Sequence, residues 1–414
     1  MSPKRVIEKK YLVCSNCRMR ILQLATSDMG GAGIAATRCH NALVSEGVNS
    51  VLVTTKRKFD AVGTKKIERG LWNTYRSSAT TFLQARIVQN SIEPITSFSM
   101  QTFDSKFLDD YRPDVVHLHS FYNLVSIDFL NKLQTRNIPA VITLHDQRWI
   151  TGGCHYSGDC RQFTSGCKQC PLVHKPFQKF VRNQRNVLGE IFAGIPKLFF
   201  VSPSPWLKEE AIESSLASDE NTAFVRNPIP EVFSESSNLS SISRKNIVIG
   251  FIAADLNGPY KGFRTFIDAI NLLSDTQARN VELHLIGNGK VEGTNSSIKI
   301  IRKVTTNDQE MAIALQEIDF LVVSSTQDNH PNVISEAQMS GVTVIGARVG
   351  GIENALHDFG MPTFESGNTS ELAKLLSEIR QRGDRAKIAK KAEEIYSYKR
   401  YSKEIQGIYS SLIC

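Results

Sequence analysis

The feature that most constrains this chain is an alternation running almost its whole length. Short runs of β-branched and aromatic apolar residues are separated by stretches of helical periodicity. The runs Arg20–Thr26, Ser50–Thr54, Asp114–His119, Ala140–His145 and Leu198–Ser202 predict buried strands, with helices predicted at Ala32–Glu46 and Ile127–Arg136. The second half repeats the style. Strands are expected at Asn246–Ala253, Val281–Gly287, Ile298–Val304, Asp319–Ser324 and Thr343–Ala347, and helices at Phe263–Leu273, Asn307–Leu315, Val333–Ser340 and Ser370–Gln381. Strands apolar on both faces and interleaved with helices belong in parallel sheets covered on both sides. The expected class is α/β, with two doubly wound domains.

A chain of 414 residues is too long for one ordinary core and divides naturally into domains of about 200 residues each. The segment Glu231–Ser243, EVFSESSNLSSIS, is rich in Ser, poor in large apolar residues and follows Asn227-Pro228, so it predicts a linker. The expected units are 19–230, a linker 231–245, 246–395, and a last helix over 396–414 that crosses back to the first domain. A ligand cleft would lie between the domains, at the carboxyl ends of the strands. No apolar run has the length of a membrane span and the N-terminus has no sustained apolar segment, so the expected compartment is the cytoplasm. The formal charge of +8 is uneven: residues 1–225 hold 28 Lys and Arg against 19 Asp and Glu, the remainder 21 against 22. That basic half suits an anionic membrane surface, with the protein peripheral on its inner face, or an anionic acceptor. Nucleic acid is not expected, because no basic stripe is interleaved with aromatics.

Three segments carry candidate chemistry. Gly30, Gly31 and Gly33 follow the first strand and open a helix, a turn that lets backbone amides approach an anion. Lys261-Gly262 follows the strand Asn246–Ala253, where a lysine reaches a phosphate at the sheet edge. In Asp328-Asn-His-Pro-Asn-Val-Ile-Ser-Glu336, two carboxylates flank a predicted helix start. The amides of Asn332, Val333 and Ile334 would point at a phosphate, and the acids would accept hydrogen bonds from sugar or ribose hydroxyls. There is no Asp-x-Asp, so no catalytic metal is expected.

These residues resemble family-4-type retaining glycosyltransferases of the GT-B fold, two Rossmann-like domains facing a cleft, whose hallmark is two glutamates with seven residues between. Here Asp328 takes the first place and Glu336 the second. VVHLHSF, VITLHD, VSPSPWL, VRNPIP, KGF, LHLIGNGK, PNVISEA and VIGARVGG occur in the family's order, and the chain looks most like enzymes of colanic-acid, capsule and exopolysaccharide assembly. The resemblance implies that a UDP- or GDP-sugar donor binds in the C-terminal domain. Lys261 would hold its diphosphate, Glu336 its ribose, Asp328 its sugar hydroxyls, and amides near Val333 and Gly31 would contact phosphate and sugar. His145 of TLHD would stand beside the reacting sugar. The acceptor would be a saccharide, usually lipid-linked. The family's Arg shortly before the lysine has no counterpart in AADLNG. Two other readings of the same fold are an inert sugar-binding module and a nucleotide-sugar epimerase.

Cys154, Cys160, Cys167 and Cys170 fall within the Gly- and Ser-rich segment 151–171, an insertion of the first domain. Their spacing suits one structural Zn²⁺, with disulfides or free thiols as the alternative. Family members commonly begin just before the first strand, as Met19 does, so residues 1–18, with Cys14 and Cys17, read as an upstream extension or a non-native start.

Overall fold

The structure, a computed structural model, describes residues 19–56, 62–66, 87–88, 96, 106–121, 124–235, 246–379 and 383–413. It has two parallel sheets with helices on both faces. The first holds β1 (Arg20–Ser27), β2 (Asn49–Lys56), β3 (Thr64–Lys66), β4 (Val115–Leu118), β5 (Ala140–Thr143), β6 (Leu198–Ser202) and β7 (Thr222–Phe224), in the order β3-β2-β1-β4-β5-β6-β7. The second holds β8 (Ile247–Asp255), β9 (Val281–Asn288), β10 (Lys299–Lys303), β11 (Phe320–Val323), β12 (Thr343–Arg348) and β13 (Thr363–Glu365), in the order β10-β9-β8-β11-β12-β13.

Both sheets are doubly wound. Their order reverses between β1 and β4 and between β8 and β11, so the crevices where ligands bind in such sheets lie at the carboxyl ends of those four strands. One face of the first sheet buries Leu22, Leu24, Val116, Ile142 and Phe200 against the helices Ile127–Thr135 and Gln178–Gly194. Its other face buries Ile21, Val115, Val141 and Val201 against the helix Gly30–Ser45 and the final helix Tyr398–Ile413, through Tyr401, Ile405, Ile408 and Tyr409. The second sheet is likewise apolar on both faces.

Three strands lie outside the sequence expectation: β3, β7 and β13. Each has three residues and each ends a sheet, so none offers enough alternation to read. The expected linker begins differently from its composition, since Val232–Glu235 forms one helical turn that buries Phe233; residues 236–245 lie outside the described residues. So do residues 1–18, with Cys14 and Cys17. Among the described residues, no helix is long and apolar enough to cross a membrane.

Candidate active site

The glycine turn follows β1. Gly30 has φ +72° and begins the helix, two residues before the expected start. At Gly33 a Cβ would stand 2.4 Å from the Ser27 carbonyl, so only glycine lets the helix start lie this close to the strand end. Gly31 meets the other half of the molecule: its carbonyl accepts from Asn332 Nδ2 at 2.9 Å.

Lys261 and Asp328 come from the loops after β8 and β11, on either side of the second switch point. Lys261 Nζ lies 2.7 Å from Asp328 Oδ2. The carboxylate is nearly buried and the lysine more open, so the ammonium forms the outer edge of the pair. Two close backbone approaches set these loops. Gly262 has φ +67° and its Cβ would fall 1.8 Å from the Ser324 carbonyl oxygen, while Ser324 Oγ donates to the Gly262 carbonyl. Gly351 brings the next helix against the Asp328 loop: its N–H donates to the Asp328 carbonyl at 3.2 Å, and a Cβ there would meet the Asn329 carbonyl oxygen at 1.7 Å.

Glu336 lies on the helix Asn332–Met339, which starts after Pro331. Of the three amides expected to face a phosphate, that of Ile334 is committed elsewhere. Ile334 is fully buried and its N–H donates to the Pro331 carbonyl at 3.1 Å. Of the three, the amides of Asn332 and Val333 remain for a phosphate. Glu336 itself is buried, and Arg38 Nη1 from the helix Gly30–Ser45 donates to its Oε1 at 2.7 Å. Arg38 Nη2 reaches Asp308 Oδ1 at 2.6 Å, and its guanidinium lies over the Phe233 ring. Burial pushes the Glu336 carboxyl above its ordinary range, and Arg38 opposes that shift. Sequence reasoning missed Arg38, which looks like one more charge on an exposed helix face. The signal was its position between Ala35-Ala36 and Cys39 on the apolar stripe.

His145 lies two residues past β5, half-buried. Its carbonyl accepts from Asn329 Nδ2 at 3.0 Å, which ties the TLHD segment to the loop bearing Asp328. Burial lowers the ring's pKa to about 4, so it is neutral at physiological pH.

Two cavities adjoin these groups. One of about 550 Å³ opens beside the Lys261 loop, lined among others by Asn257, Gly258, Arg264 and Lys290. The other, about 270 Å³, lies between the Cys-rich segment and the second domain, lined by His155, Tyr156, Asp159, Tyr260 and Gln327 among others. The Tyr156 and Tyr260 rings meet edge to face at 5.1 Å.

The four cysteines of that segment are free, with Cys167 and Cys170 in a small apolar cluster beside Phe163 and Val181. Burial raises the thiol pKa of Cys154 to about 12 and of Cys167 to about 11. Among the described residues, no three His, Cys, Asp or Glu side chains are placed to hold a metal.

Comparison with known proteins bears on the fold and the family. Residues 246–381 match the family model for glycosyl transferases group 1. Over 320 residues the chain is 26% identical to the putative colanic acid biosynthesis glycosyl transferase WcaC of Escherichia coli (strain K12), covering 72% of this chain and 77% of that one. Among solved structures, HepE of Anabaena in complex with UDP superposes with a TM-score of 0.60 at 14% identity, covering 95% of this chain and all of that one. Sucrose-phosphate synthase of Thermosynechococcus elongatus superposes at 0.64 with 12% identity, covering 95% and 99%. Residues 246–381 are thus a group 1 glycosyl transferase domain, and the chain that carries it is a glycosyltransferase of GT-B architecture.

Proposed function

We propose that this protein is a retaining glycosyltransferase of exopolysaccharide assembly, transferring a sugar from a UDP- or GDP-sugar to a saccharide acceptor. The observation that carries the reading is the Lys261–Asp328 pair at the second switch point, beside the open amides of Asn332 and Val333 and facing the Gly30-Gly31 turn. Cation and amides suit a diphosphate, and Asp328 suits the sugar hydroxyls next to it. Glu336 uses Oε1 for Arg38, which leaves Oε2 for a ribose hydroxyl. Support also comes from the HepE structures, which hold UDP and UDP-glucose, and from the WcaC similarity.

As the glycosidic bond to the diphosphate breaks, positive charge develops at the anomeric carbon and negative charge on the leaving phosphate. Lys261 and the helix-start amides stabilise the latter. The acceptor hydroxyl attacks from the same face and passes its proton to the leaving phosphate. The cavity lined by Tyr156 and Tyr260 is where we place the acceptor, since it adjoins Lys261 and Asp328 through Tyr260 and Gln327. Proton NMR of the product should show the donor's anomeric configuration kept, with Mg²⁺ and Mn²⁺ withheld. An inverted product excludes this mechanism.

Two accessory proposals follow from the first domain. The acceptor is lipid-linked, and the basic half docks on anionic bilayers, each basic residue near the surface contributing about 1 kcal/mol. Co-sedimentation should then be stronger with anionic than with neutral vesicles and should weaken with salt; equal binding to both rejects it. The four cysteines bind one structural Zn²⁺, supported by their gathering in one segment, with Cys167 and Cys170 in one buried cluster. Binding requires the thiols to draw together from the arrangement seen here. Metal analysis should give about one zinc per chain, and Cys167→Ser should lower zinc content and acceptor use while nucleotide binding stays. Metal-free, fully active protein with four titratable thiols contradicts it.

A further inference from the structure

A chain of hydrogen bonds runs through the first sheet from its edge to His145. His40 Nε2 lies 2.8 Å from the Val62 carbonyl oxygen, and Ser50 Oγ lies 3.0 Å from His40 Nδ1. Gln23 Nε2 is 2.8 Å from Ser50 Oγ, while Gln23 Oε1 is 2.8 Å from His119 Nε2. His119 Nδ1 is then 3.0 Å from His145 Nε2. Gln23, His40, Ser50 and His119 are all buried.

One end of this chain has a fixed sense, because a carbonyl can only accept. His40 therefore carries its proton on Nε2 and presents a bare Nδ1, to which Ser50 donates. Ser50 has then spent its only proton and must accept from Gln23, which fixes the amide with nitrogen toward Ser50 and oxygen toward His119. Reversing the amide would set two oxygens against each other with no proton between them. The Gln23 oxygen requires Nε2–H on His119, so His119 Nδ1 is bare and must accept from Nε2–H of His145. Every link has one consistent polarity.

From this we infer that His40, Gln23 and His119 are positioning residues that hold His145 as its Nε2–H tautomer and leave its Nδ1 lone pair to accept a hydrogen bond from a donor-sugar hydroxyl. The inference rests on the proposed donor site for the identity of that hydroxyl, but not for the tautomer. Nδ1 of His145 has no hydrogen-bond partner among the described residues. The stacking of His117, His119 and His145, with ring centroids 4.3 and 5.3 Å apart, keeps the rings aligned and disfavours a second proton on any of them. His117 is held separately by Tyr409 and Thr143, so the relay does not pass through it.

The test is NMR of ¹⁵N-histidine-labelled protein without substrate, the His145 signals being assigned by loss in His145→Gln. Wild type should show His145 protonated on Nε2. Gln23→Leu removes the acceptor for His119. His119 should then move its proton to Nδ1 and donate to His145, driving His145 to Nδ1–H although nothing beside it has changed. Donor turnover should fall about 10²-fold or more, as when a catalytic histidine is held in the wrong tautomer, with donor KM nearly unchanged. Gln23→Glu, held neutral by burial, gives its carboxyl proton to Ser50, keeps an oxygen toward His119 and should restore both tautomer and most of kcat. His145 protonated on Nδ1 in wild type, or the same His145 tautomer in Gln23→Leu as in wild type, overturns the inference. Lack of turnover by a wild-type protein that shows the Nε2–H tautomer would instead count against the donor site.

Discussion

Replacing Arg38 by alanine is expected to cost about 3–5 kcal/mol of stability, because it leaves a buried carboxylate without its cation. The pair is among the least exposed in the described structure, with side chains 4% and 8% accessible. It joins the two halves, since Arg38 belongs to the first domain and Glu336 and Asp308 to the second. Removing the guanidinium also sets Glu336 near Asp308 with nothing between them. The effect should depend on pH with a definite sign. The folded-state pKa of Glu336 is already raised by burial and rises further without Arg38. A carboxyl whose folded pKa exceeds its unfolded value destabilises the fold once both states are ionised. The deficit of Arg38→Ala should therefore be larger at neutral than at acidic pH, shrinking on acidification through the raised pKa as Glu336 takes up a proton. Denaturant unfolding at pH 7 and pH 5 measures this. A deficit below about 1 kcal/mol, the usual range of an exposed pair, would show that the contact is dispensable.

The second large effect is expected at Lys261. Lys261→Ala removes the side-chain cation paired with Asp328 and should lower turnover about 10²–10³-fold, as losing a preorganised donor to developing charge does. Nucleotide affinity should fall by roughly 1.5–3 kcal/mol, the range for a hydrogen bond to a charged group, readable by calorimetric titration with UDP and GDP. Lys261→Arg keeps the charge and should retain part of both. Turnover at the wild-type rate in Lys261→Ala would remove this residue from the site.

The architecture was legible in the sequence because its central strands are buried. Runs such as Ile21–Leu24 and Val115–Leu118 have no solvent face, so their length and spacing betray parallel sheets before any helix is assigned. The edge strands β3, β7 and β13 were not legible, since three residues such as Thr64–Lys66 carry no period. Lys261, Asp328 and Glu336 could be picked out as candidates because the first two stand in strand-to-helix loops at one sheet edge and Glu336 lies on the helix that follows. What the sequence hid is the partner of each group. Arg38 and Glu336 are 298 positions apart, and only docking of the two domains makes them neighbours. The relay behind His145 was hidden for a related reason. Gln23, His117 and His119 interrupt apolar strands, which marks them as buried polar residues needing partners, but the sheet order that aligns β1, β2, β4 and β5 decides which partners they find.

The most direct test of the donor site is nucleoside diphosphate release from a panel of UDP- and GDP-sugars, measured on wild type, Lys261→Ala and Glu336→Gln side by side. The predicted result is turnover of one donor by wild type and its loss in both variants, with their circular dichroism unchanged. Turnover that survives in both variants at the wild-type rate would contradict a donor site in the C-terminal half.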